Sequence, residues 1–131
     1  MQQNTPNTDA VKATLDSLIH SVSGKDFDHI LNTLENVYHE KMKIHLIGAD
    51  NTLQQMNKEQ FKNHVAQSAK EAKEPITWAK YHLVEADDKN GHIIISRKIN
   101  LTGEIQIINL SIDFIFEDGR WQITREVIYL G

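Results

Sequence analysis

Cysteine is absent from the chain. Its absence excludes disulfides and thiolate metal sites and fits a cytoplasmic location. A basic surface is also missing: 14 Lys and Arg stand against 18 Asp and Glu, the net charge is −4, and the two signs are interspersed. No stripe exists to track a phosphate backbone, so nucleic acid is not an expected partner. No apolar run approaches the ~20 residues needed to cross a bilayer, so a membrane is not expected either. Gly-rich phosphate loops, a nucleophile elbow and a Ser-His-Asp sequence pattern are all lacking. Met1 to Thr8 is polar and uncharged, without the basic and apolar regions of a secretory signal. Residues 1–8 read as a disordered leader and 9–131 as one domain, large enough to bury its own core.

The last third organises the chain. Three apolar-rich runs, His92–Leu101, Glu104–Glu117 and Arg120–Leu130, are broken by Thr102-Gly103 and Asp118-Gly119. They predict a meander of long antiparallel strands. A fourth run, Ile76 to Ala86, precedes them across Asp87-Asp88-Lys89-Asn90-Gly91, where Asn-Gly predicts a positive-φ turn. Strands this long must twist and curve, and helices laid on the concave side leave a cone-shaped space. Helices to cover it lie upstream. Val11, Leu15, Leu18, Ile19 and Val22 share one helical face over Asp9 to Val22, with Thr8 as N-cap and Gly24 past the end. Asp26 caps a second helix with the stripe Phe27, Ile30, Leu31 and Leu34. Val37 to Ile47 reads as a strand and Gly48 to Met56 as a polar loop. Asn57 and Gln60 form a capping box for a third helix, whose inner face is Phe61, Val65, Ala69 and Ala72 and which ends at Pro75. The fold class is α+β, with three helices from the N-terminal half on one face of a curved antiparallel sheet.

This order, with Ser23-Gly24-Lys25-Asp26-Phe27 between the first helices and Phe116-Glu117-Asp118-Gly119-Arg120-Trp121-Gln122-Ile123 near the end, resembles the nuclear transport factor 2-like superfamily. Within it, the chain looks most like small SnoaL-like and ketosteroid-isomerase-like proteins, which have a cystatin-like fold. The resemblance implies a cone-shaped pocket. It does not imply one activity, since the superfold hosts isomerases, dehydratases, epoxide hydrolases, cyclases and non-enzymatic modules. The positions where ketosteroid isomerases carry their tyrosine, base and second acid fall here near Ser17, at Leu46 or His45, and at Ile112. All depart from that pattern. The same registration puts Leu110, Ile112, Phe114 and Phe116 on the concave wall, and Ile107, Asn109, Ser111, Asp113 and Ile115 outward. An outer face this apolar suits a homodimer, as in many relatives.

Seven histidines are scattered without a metal-binding spacing, so no metal and no cofactor is expected. His45 and His82 sit among apolar strand neighbours and read first as hydrogen-bonded sheet histidines; they are also the candidate acid–base groups. Asp113, in the apolar run Leu110 to Phe116, is either a catalytic acid or half of an ion pair with Arg97 or Arg125. Glu126 could pair with Arg97 or Lys98. Tyr38, Leu46, Phe61, Trp78, Ile112 and Phe114 are the candidate ligand-lining residues, with Trp78 and Trp121 also suited to closing the ends of a core.

Two functions follow. One is a small-molecule pocket for an apolar or aromatic metabolite, with cofactor-independent isomerase, dehydratase or cyclase chemistry. The other is a non-catalytic dimerisation or protein-binding module, its cone plugged by Phe61, Phe114, Phe116 and Trp78.

Overall fold

The computed structural model describes residues 6–22, 26–48, 50–71, 78–100 and 105–130. Helices α1 (Pro6–Val22) and α2 (Phe27–Val37) come first, followed by the hairpin β1 (Tyr38–Ile47) and β2 (Leu53–Asn57). Helix α3 (Lys58–Glu71) then precedes β3 (Ala79–Ala86), β4 (Asn90–Asn100), β5 (Ile105–Glu117) and β6 (Arg120–Leu130). The six strands form one curved, unclosed sheet in the order β2-β1-β6-β5-β4-β3. The pairs are antiparallel except β1 with β6, which runs parallel.

Much of the local chemistry acts as expected. Asp26 accepts a hydrogen bond from the His29 backbone N–H at 3.1 Å and caps α2. Asn57 and Gln60 exchange reciprocal bonds of 2.9 and 3.0 Å, closing the capping box of α3. Asp118 (φ 56°) and Gly119 (φ 76°) form the two-residue turn between β5 and β6; positive φ at both positions matches the twist of the flanking strands.

Other expectations are corrected. Helix α1 begins at Pro6, so Thr8 lies within its first turn and is not its cap; the rest of the leader, residues 1–5, falls outside the described residues, as do Gly24, Ala72, Pro75 and Thr102-Gly103. Gly48 to Met56 is not all loop. Leu53–Asn57 is an edge strand paired to β1, mostly exposed and therefore without apolar alternation to betray it. Asn90-Gly91 does not make the turn. Asp87 makes it, accepting from the backbone N–H groups of Lys89 and Asn90 at 2.8 and 2.7 Å, and Gly91 belongs to β4. A Cβ there would lie 3.0 Å from Val11 Cγ2 and 3.4 Å from Phe114 Cβ, so Gly91 lets α1 approach the sheet.

The core lies between the helices and the concave sheet face. Val11, Leu15, Leu18 and Ile19 of α1 and Ile30 and Leu34 of α2 pack with Ile93, Ile95, Ile108, Leu110, Ile112 and Phe114. No helix among the described residues is long and apolar enough to cross a membrane.

Candidate functional site

Alternation assigns each strand residue a face. On β5, Ile108, Leu110, Ile112 and Phe114 are buried under the helices, while Ile107, Asn109, Ser111 and Asp113 point to the convex side. Phe116 shares the concave parity but is 42% exposed, packed edge-on against Trp121 at the end of the sheet. On β1, Tyr38, Met42 and Ile44 are buried and Leu46 is half-buried on the same side.

Among the described residues, Tyr38, Glu126, Arg97 and Tyr81 form a cluster of polar side chains on the apolar concave wall. Tyr38 is buried at the start of β1, its ring 5.1 Å from that of Phe61 on α3. Its hydroxyl donates to Oε2 of Glu126 on β6, also buried. Arg97 follows Ile93 and Ile95 on the same face of β4, and its Nε is closed off from solvent with no hydrogen-bond partner. Tyr81 of β3 is half-buried and donates its hydroxyl to Asp16 Oδ1 on α1.

Burial dominates the electrostatics of this cluster. It raises the Glu126 carboxyl above its usual value, against the Tyr38 hydrogen bond and the Arg97 charge. Burial likewise raises Tyr38, with the neighbouring Glu126 charge acting in the same direction. Tyr81 is raised by burial and by its bond to Asp16. Arg97 is lowered by burial, opposed by Glu126, Tyr38 and Tyr81. The set comprises a proton donor and acceptor of shifted affinity and a cation, all on one apolar wall.

Of the residues singled out in the sequence, the concave face brings together Tyr38, Leu46, Phe61, Ile112 and Phe114. Three others lie on the convex face. His45 stands between Ile44 and Leu46, in register with Val127 and Gln55. His82 occupies the bulge between Tyr81 and Leu83, with Nε2 2.7 Å from Ser96 Oγ, which donates to Asn109 Oδ1 at 2.6 Å. Asp113 Oδ1 lies 2.6 Å from His92 Nδ1. Its partner is therefore His92, while Arg97 points to the other face. Trp78 is 41% exposed, with Lys98 Nζ 5.0 Å from its ring centroid.

His92 Nε2 also lies 3.2 Å from Ser111 Oγ, so Ser111, His92 and Asp113 are connected in the order nucleophile, base, orienting carboxylate. The linear sequence does not show this set. The set lies within the ladder of β4 and β5, whose register is unbroken around it, so the N–H groups those two strands turn to each other are engaged in strand pairing. Among the described residues, no group of three His, Asp or Glu side chains gathers to hold a metal.

Glu126 was legible as a possible Arg97 partner but not as a concave residue. Trp121 and Ile123 are buried, and strict alternation from them would send Glu126 outward. A bulge at Thr124 reverses the parity, pairing Phe114 with Ile123 but Asp113 with Arg125.

No protein-family model matches the chain, and no curated protein matches it. Solved structures do. A nuclear transport factor 2-like protein of unknown function from Silicibacter pomeroyi DSS-3 superposes with a TM-score of 0.73 at 13% identity, covering 92% of each chain. A nuclear transport factor 2-like protein from Cytophaga hutchinsonii ATCC 33406 gives 0.69 at 11% identity over 98% of each chain. One of unknown function from Shewanella baltica OS155 gives 0.64 at 13%, covering 95% of this chain and 96% of that one. With its three helices on a curved, unclosed six-stranded sheet, the chain has the nuclear transport factor 2-like fold.

Proposed function

We propose that this chain binds a small, largely apolar or aromatic molecule between its helices and the concave sheet, and that Glu126, held by the Tyr38 hydroxyl, exchanges a proton with it. The observation that carries the reading is the Tyr38–Glu126 hydrogen bond, buried in an otherwise apolar wall beside Arg97. A raised carboxyl is better matched to proton transfer near neutral pH than an ordinary one. Its chemistry would be isomerase- or dehydratase-type, with no cofactor in the step. Of the four aromatics expected to plug the cone, Phe61 and Phe114 pack with the core, whereas Trp78 and Phe116 are 41% and 42% exposed.

The test is a thermal-shift screen of small aromatic and alicyclic compounds against the chain and against Leu46→Trp, which narrows the cone from a half-buried position. Hits should raise the melting temperature of the first and not the second. Proton exchange at an acidic C–H of a hit, followed by NMR, should fall by about 100-fold or more in Glu126→Gln. A screen without any compound that distinguishes the two proteins would end this reading.

The convex face favours a homodimer. Ile94, Ile107 and Tyr129 are 37%, 54% and 47% exposed there, an apolar surface suited to a second copy. Light scattering at micromolar concentration should give twice the chain mass; a monomeric mass argues against it.

A further inference from the structure

We infer that the molecule held in the cone carries a carboxylate, bound by the guanidinium of Arg97. This rests on the pocket reading and specifies the ligand's chemistry.

Arg97 feels the nearby Glu126 charge but forms no direct ion pair among the described residues. A guanidinium stays charged in proteins, and burying a charge is costly without a partner. The two carboxyls nearest by topology are already engaged. Glu126 receives the Tyr38 hydroxyl, and Asp16 receives that of Tyr81. Burial also weakens Glu126 as a counter-ion by favouring its neutral form.

Arg97 Nε is the atom left without a partner. Nε and one neighbouring Nη form the edge of the guanidinium that takes both oxygens of a carboxylate in two parallel bonds. A neutral amide or alcohol offers neither the charge nor two equivalent acceptors. Arg97 as a whole is half-buried rather than sealed, so the group is held in the wall yet not wholly withdrawn. Its cross-strand neighbours are Ala79 and Ile108, with the Ile95–Leu110 pair next along the same face and Phe61 against Tyr38. The remainder of the ligand is therefore apolar. A small aromatic or alicyclic acid meets both demands, and its carboxylate would partner the Nε that the fold leaves without a hydrogen bond.

Isothermal titration of the full chain at neutral pH with benzoate, cinnamate and 2-naphthoate, each beside its primary amide, tests this. At least one acid should bind about tenfold or more tightly than its amide, and Arg97→Met should abolish that preference. Arg97→Lys keeps the charge without the fork and should retain a reduced preference; it also serves if the Met variant does not fold. An amide that binds as well as its acid, or a preference that survives Arg97→Met, overturns the carboxylate inference and leaves the pocket reading intact. Absence of binding by acids and amides alike overturns the carboxylate inference; absence of any hit in the wider screen removes the pocket reading as well.

Discussion

The hydroxyl of Tyr38 donates to the carboxylate of Glu126 across the parallel pairing of β1 with β6, linking residues 88 apart in sequence. Both side chains are buried. This bond joins the first strand to the last at the wall where the helices close over the sheet, so its loss affects stability and the proposed site together.

Tyr38→Phe keeps the ring against Phe61 and removes the donor. Glu126 would then be buried without its hydrogen bond, at an expected cost of about 1–3 kcal/mol. Its carboxyl should titrate at still higher pH, because that bond lowers it. Denaturant unfolding and a 13C carboxyl titration check the two effects separately.

The same carboxyl predicts a pH dependence. Its folded value is raised above the unfolded value, so the folded state binds the proton more tightly. That contribution is fully present below an unfolded pKa of about 4.3 and is lost as pH rises through the folded value. Across that window the melting temperature of the native chain should fall relative to Glu126→Gln, then run parallel above it. A constant difference from about pH 4 to 8 would contradict the assignment.

Two glycines should fail for different reasons. Gly91→Ala places a methyl 3.0 Å from Val11 Cγ2 in the closed core, and about 1–3 kcal/mol of overpacking is expected. Val11→Ala should recover part of that in the double variant. Gly119→Ala meets nothing within 4 Å, but its φ of +76° strains any L side chain, at about 1–2 kcal/mol. Val11→Ala should not relieve it. Melting curves of the five variants decide both points.

The α3 cap is a smaller, local case. Asn57→Ala removes the acceptor for the Gln60 backbone N–H and should cost about 1 kcal/mol. Hydrogen exchange should rise first in the opening turn of α3, with β4 and β5 unchanged.

Much of this architecture was legible in the residues. The stripe Val11, Leu15, Leu18 and Ile19, the cap Asp26, the box Asn57–Gln60, the turn Asp118-Gly119 and the faces of β5 depend on interactions within a few residues. Periodicity and turn chemistry record those directly. The edge strand Leu53–Asn57 escaped because an exposed strand has no face to bury. Asn90-Gly91 misled because its glycine serves helix packing rather than positive φ.

The candidate site was less legible. Alternation gave the concave facing of Ile112 and Phe114 and the outward facing of Asp113, whereas His45 and His82, the acid–base candidates, lie on the convex face. Three register irregularities, at His82, at Thr124 and between Tyr38 and Lys43, break the regular pairing on which a facing is read.

The sequence by itself therefore determined the class of fold, the helix faces, the caps and the turn between the last two strands, because each is a property of neighbours along the chain. The tertiary structure alone decided that β1 would lie parallel to β6, that Glu126 would turn inward beneath Tyr38, and that Asp113 would meet His92. Those outcomes depend on strand register and on single inserted residues, and contacts between distant segments set both.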